Sequence, residues 1–290
     1  MRTEREMLAL ILQTAERDER IRAVAMNGSR TNPNASKDPF QDFDIVYLVT
    51  EIESFIRDRN WVDVFGERII MQTPESSTLF SPEPGRRFTY LMQFADGNRI
   101  DLMLVPLEEK DSYCNEDKLT VILLDKDRCL PAIAAPTDED YWVKRPSAEL
   151  FADCCNEFWW VSVYIAKGLW RKEILYAQEH LNRYVRPMLI KMLEWQAGIQ
   201  TDFSVSTGKC GKYLEKYVSD TTWRKLLSTF ADGSYEGAWK ALFSMGNLFR
   251  NTAKYVADRL NFDYPDEEDE RVTAYLRHIQ HLSPNATEIY

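Results

Sequence analysis

The run FDIVYLV (43–49) is the feature that most constrains how this chain folds. It is almost continuously apolar and rich in β-formers, as expected for a strand covered on both faces. Yet it opens on charge, with Asp42 just before it and Asp44 inside it. Residues two apart on a strand point the same way, so both carboxylates project together. Carboxylates at the mouth of a buried strand are costly unless a partner compensates them. A hard divalent cation, which prefers oxygen ligands, is such a partner.

The neighbouring text supports that reading. IRAVAMNG (21–28) reads as a strand ending at Gly28-Ser29, where backbone N–H groups and a hydroxyl can approach a phosphate closely. Arg30 follows, with a planar fork of donors suited to phosphate oxygens. FTYLMQFADGNRIDLMLVP (88–106) is a hairpin turned at Asp96-Gly97, and its outgoing strand carries Asp101 among apolar residues. A third carboxylate on an adjacent strand would complete a site for two metal ions. Each piece alone is weak; their order along the chain makes the constellation specific.

The rest of the chain divides in two. Residues 3–18 read as an amphipathic helix, with Met7, Leu10, Ile11 and Ala15 on one face. ERIIMQT (67–73) and TVILL (120–124) supply further strands. PAIAAPTDEDYWVKRP (131–146), with three prolines, reads as the connection between domains. Beyond it the period turns helical. Ser147 is placed as an N-cap, and Phe151, Cys154, Phe158, Val161 and Ile165 form one stripe. A second stripe runs Ile174, Gln178, Leu181, Val185, Met188, Met192, Trp195, with Pro187 forcing a kink. Helices are expected over 211–230 and 234–260, then an acidic loop at 263–270 and a last helix. The expected class is α+β: a mixed sheet flanked by helices over residues 1–135, then an all-helical, bundle-like domain over 136–290.

Composition bears on partners. The 290 residues carry a formal charge of −10 and are 44% hydrophobic. Such a chain repels a nucleic-acid backbone and attracts a polycation. No apolar run is long enough to cross a bilayer and the N-terminus is not a signal peptide, so the expected location is the cytoplasm, with no nucleic-acid or membrane partner. The five cysteines have no metal-site spacing and are expected to be free, buried thiols. The oligomeric state stays open, and a monomer is compatible with the sequence.

Gly-Ser followed by D-x-D and a later strand aspartate resembles the DNA polymerase beta-like nucleotidyltransferases. The segments NGSRTNPN, QDFDIVYLVTEIESF, RIDLMLVPLEE, LLDKDR and DCCNEFWWVSVYIAKGLWRKEILYAQEHLNRYVRPMLIKMLEW look like the aminoglycoside 6-adenylyltransferases that act on streptomycin. The likeness covers nearly the whole chain. It departs from that pattern at Asn27, where those enzymes commonly carry Glu, and at Cys210-Gly211, where a GKNYK-like run is usual.

The resemblance implies transfer of AMP from ATP to a hydroxyl of a cationic aminoglycoside. Two Mg²⁺ ions would be held by Asp42, Asp44 and Asp101, with the triphosphate on Gly28, Ser29 and Arg30. Lys167, Lys209 and Lys212 would reach the phosphates across a domain cleft. Asp153, Glu157, Trp160 and Glu179 would line the acceptor site, suited by type to a polycation with sugar rings. Asp101 and Glu157 are rival general bases. His180 is read as structural, and Trp159 and Trp195 as core. Two other readings remain at this point: a nucleotidyltransferase with another small-molecule, protein or RNA acceptor, and a nucleotide-binding module without catalysis.

Overall fold

A computed structural model describes residues 1–79 and 86–290. Two compact units divide the chain at Asp140/Tyr141, five residues past the expected boundary. The segment before that point is tied back to the first unit: Asn34 donates to Asp138 (3.0 Å), and Lys118 pairs with Glu139 and Asp140.

The first unit is a mixed sheet of six strands: β1 (Ile21–Asn27), β2 (Phe43–Val49), β3 (Arg68–Gln72), β4 (Phe88–Phe94), β5 (Arg99–Pro106) and β6 (Val121–Asp125). Their spatial order is β3-β4-β5-β2-β1-β6. Only β2 and β5 run parallel; every other pair is antiparallel. The central strands read as unbroken apolar runs because both of their faces are buried. Val24, Met26, Ile45, Tyr47 and Val49 enter one core, while Ala23, Ala25, Val46 and Leu48 enter a second on the opposite face. The first core is roofed by α1 (Glu4–Arg17) through Met7, Ile11 and Ala15, with a capping box between Thr3 and Glu6 fixing the helix start. Short helices α2 (Glu53–Arg57) and α3 (Lys110–Tyr113) complete the unit.

The second unit is helical: α4 (Ala148–Trp170), α5 (Ile174–His180), α6 (Arg186–Gln200), α7 (Asp220–Leu227), α8 (Tyr235–Leu260) and α9 (Asp266–His281). Ser147 caps α4 as expected, accepting from the Leu150 N–H. The α4 stripe is the core: Phe151, Cys154, Phe158, Val161 and Ile165 are all buried, and Phe158 stacks on Phe249 of α8 at 3.8 Å. The expected kink is a π-helical turn over Leu181–Val185, immediately before Pro187. The wider turn accommodates a residue that cannot donate to the helical ladder.

Two expectations fail here. Residues 211–230 are not one helix: 3₁₀ turns at Lys209–Gly211 and Leu214–Tyr217 precede the short α7. Gly208, Cys210 and Gly211 all have positive φ, which breaks helical propagation. Nor is 263–270 all loop, because Asp266, Glu267, Glu268 and Asp269 form the first turn of α9, where negative charge is favoured by the helix dipole. The five cysteines are free as expected, but Cys210 is exposed and Cys129 half-buried.

Candidate active site

Strand register brings the aspartates together. Asp44 on β2 lies directly beside Asp101 on parallel β5, which places their backbones about 4.8 Å apart. On its other side Asp44 pairs with Asn27, the last residue of β1. Asp42 stands one pleat before Asp44, at the mouth of the strand.

The turn after β1 is shaped around Asp44. Gly28 has φ +75°, and a Cβ there would sit 2.9 Å from Asp44 Cγ and closer still to Oδ2. Only glycine allows the carboxylate so near the backbone. The Thr31 hydroxyl lies 2.9 Å from both the Gly28 and Leu119 carbonyls. Gln41 donates to the Ser29 carbonyl at 3.2 Å. Asn27 is held from both ends: its amide donates to Thr120 Oγ1 (3.0 Å) and its oxygen accepts from the Tyr113 hydroxyl (2.6 Å).

The cluster is electrostatically loaded. Burial, then Asp101 and Asp42, push the Asp44 carboxyl up to about 6. Burial also raises Asp42, and Asp101 adds to it, while Arg99 opposes the shift. Crowded carboxylates of this kind are a donor set for hard cations. Among the described residues no three such groups converge closely enough to enclose an ion as they stand. Asp101 is engaged by Arg99, whose Nε and Nη2 donate to its two oxygens at 2.7 and 2.8 Å. The donor chemistry, three carboxylates on neighbouring strand positions, is of the kind that suits a divalent metal.

The Arg30 fork meets backbone: Nε donates to the Asp42 carbonyl (2.9 Å) and Nη2 to the Gln41 carbonyl (2.7 Å). The guanidinium lies over the Phe43 ring at 3.7 Å and approaches Glu4 at 3.5 Å. It is 9% exposed and fixes the segment that presents Asp42.

The remaining candidates lie in the helical unit. Asp153, Glu157, Trp160 and Lys167 recur at steps of four, three and seven, so they share the outer stripe of α4. Trp160 is exposed and donates to the Tyr164 hydroxyl at 2.9 Å. Glu179 on α5 pairs with Arg183 at 3.1 Å. Lys209 and Lys212 lie in the 3₁₀ turn after Gly208, with Lys212 and Lys216 both near the Tyr213 ring at 4.9 and 4.7 Å. His180 donates from Nδ1 to the Tyr176 carbonyl (2.8 Å) beside the Tyr164, Tyr176 and Tyr184 rings. Trp159 and Trp195 are core.

Two groups escaped the sequence reading. Arg99 carries the signal that exposed Asp44, a same-face spacing of two from a candidate aspartate, Asp101. Tyr164 is four residues from Trp160, the next place along the same stripe.

A family model described as streptomycin adenylyltransferase matches residues 1–279. The chain is similar to the aminoglycoside 6-adenylyltransferase of Bacillus subtilis (strain 168), at 47% identity over 96% of this chain and 98% of that one. It is similar also to that of Campylobacter jejuni, at 45% identity over 95% of each. A crystal structure of an aminoglycoside 6-adenyltransferase from Bacillus subtilis is 42% identical, covering 97% of this chain and all of that one, with a TM-score of 0.49. On these matches the chain belongs to the streptomycin adenylyltransferase family and is an enzyme of the nucleotidyltransferase class.

Proposed function

We propose that this enzyme transfers AMP from ATP to a hydroxyl of an aminoglycoside antibiotic, namely the 6-position of streptomycin. Pyrophosphate leaves, and the modified drug loses its action, so the cell becomes resistant. The observation that carries the reading is the in-register pairing of Asp44 with Asp101 beside the Gly28-Ser29 turn. The printed activity of the relatives supplies the acceptor class.

Asp42, Asp44 and Asp101 would hold two Mg²⁺ ions. Bound there, paired metals neutralise charge developing at phosphorus and align the attacking and leaving oxygens. Gly28 keeps the turn open for the triphosphate, and the Ser29 hydroxyl and backbone take its oxygens. Arg30 acts through Asp42 by fixing its backbone. Lys167, Lys209 and Lys212 supply positive charge for the phosphates. Asp153, Glu157, Trp160 and Glu179 bind the cationic acceptor, its rings against the exposed indole and its charges on the acids. The acceptor hydroxyl loses its proton to a carboxylate. Asp101 and Glu157 are the two candidates for that role. The free thiols suit a reducing cytoplasm, and among the described residues no helix is long and apolar enough to cross a membrane.

Mass spectrometry of streptomycin after incubation with the enzyme, ATP and Mg²⁺ tests this directly. An AMP adduct is expected. Its absence, with an adduct on another compound of an acceptor panel, would refute the acceptor and keep the reaction.

A further inference from the structure

Arg99 and Arg30 flank the same carboxylates but are held in different ways. Arg30 is buried and bonded to backbone carbonyls. Arg99 is 40% exposed, and among the described residues its side-chain hydrogen bonds and ion pairs are to the acids: both oxygens of Asp101, and Asp42 Oδ2 at 3.6 Å. Asp101 in turn holds the Arg99 guanidinium more firmly protonated than usual. A cation bound by the three carboxylates must take at least one Asp101 oxygen. Each of those oxygens already accepts from Arg99, so the cation and the guanidinium contest the same carboxylate.

We propose that Arg99 is the site's resident counter-cation. It orients Asp101 and Asp42 before divalent metals load, competes with those metals for the Asp101 oxygens, and on release turns to the phosphate chain of the nucleotide. The proposal rests on the three-carboxylate metal reading given above. Charge makes the exchange reasonable: the three carboxylates outnumber the flanking guanidiniums of Arg99 and Arg30, so the cluster keeps a net negative charge that draws a divalent ion while still holding Arg99. Geometry keeps the released group useful. It is anchored on β5 two residues from Asp101, on the same face of the strand, and its planar fork matches a phosphate as well as a carboxylate. Arg30 cannot take this part, since its donors hold the Asp42 segment in place.

The test uses the full-length, metal-stripped enzyme and Mn²⁺ as probe, with free Mn²⁺ followed by electron paramagnetic resonance. Removing a unit positive charge a few ångströms from the ion should tighten binding about tenfold in Arg99→Met, with Arg99→Lys between that variant and wild type. Arg99→Met should also melt lower in chelator yet gain more in Tm on adding Mn²⁺. Its KM for ATP should rise, opposite in direction to the metal effect. A merely structural arginine would weaken metal and nucleotide together. Mn²⁺ affinity unchanged or weaker in Arg99→Met, or an unchanged KM for ATP, overturns the assignment of Arg99. Wild-type Mn²⁺ binding that survives Asp44→Asn would instead overturn the carboxylate reading beneath it.

Discussion

Asp44 and Gly28 are best understood as one device. The glycine has no side chain because the carboxylate needs the space, and the carboxylate is half-buried because the backbone passes so close. Gly28→Ala must either push Asp44 aside or give up the turn. It also places a Cβ at φ +75°, a strain of about 1 kcal/mol or more. Adenylyl transfer should fall by roughly a hundredfold, the scale of an ångström-level misplacement, and Tm should fall with it. Asp44→Asn behaves differently. A loss on the order of a thousandfold in kcat is expected once a metal ligand is gone, while the fold gains. Asp44 is raised in the folded protein from 3.8 to about 6, so its protonated form contributes stability that is present below about 3.8 and lost as pH rises through 6. In chelator at pH 8 the Asn variant should therefore melt a few degrees above wild type, and the gap should close as pH falls toward 4. A variant less stable than wild type at pH 8 would contradict the strained, crowded carboxylate described here.

At the scale of elements, the clearest test concerns how α9 docks on α8. Arg250 forks onto Asp269, which is 2% exposed and also accepts from the Tyr264 hydroxyl (2.7 Å) and from Thr273 (3.0 Å). Removing one partner of a buried pair strands the other. Asp269→Ala should cost the helical unit about 3 kcal/mol in urea unfolding, and Arg250→Met/Asp269→Leu much less. Equal losses in the two variants would show that packing, not charge, holds α9. The same element shows what the sequence could and could not convey. DYPDEEDE looks like uniform solvated acid, because the partner that singles out Asp269 lies 19 residues upstream on another helix. β2 was legible for the opposite reason: burial on both faces wrote itself into FDIVYLV residue by residue. The α4 stripe was legible through its period alone. The 211–230 region misled because its apolar residues keep a helical rhythm while Gly208, Cys210 and Gly211, at and just before its start, adopt positive φ. In the candidate site, the placing of Asp42, Asp44 and Asp101 on neighbouring strands could be read from the strand and hairpin pattern. The capture of Arg30 by two backbone carbonyls could not, since a local pattern does not show which way a loop carbonyl faces.

At the scale of the whole molecule, the net charge of −10 acts on the two proposed substrates with opposite sign. A polycationic aminoglycoside approaches down the average potential, and the polyanionic nucleotide approaches against it. Salt shortens the reach of both effects, to about 10 Å at 0.1 M. Raising NaCl from about 20 to about 300 mM should thus lower kcat/KM for streptomycin by roughly tenfold, and leave kcat/KM for ATP unchanged or higher. The opposed signs matter more than either magnitude. A general effect of salt on folding or on turnover would move both constants together, and parallel declines would mean that the acidic surface serves solubility and does not steer the acceptor. Neutralising the α4 stripe with Asp153→Asn/Glu157→Gln then separates local from global charge. If those two acids touch the acceptor, the variant should lose streptomycin binding even at high salt, where the average field is already screened, with the KM for ATP unmoved.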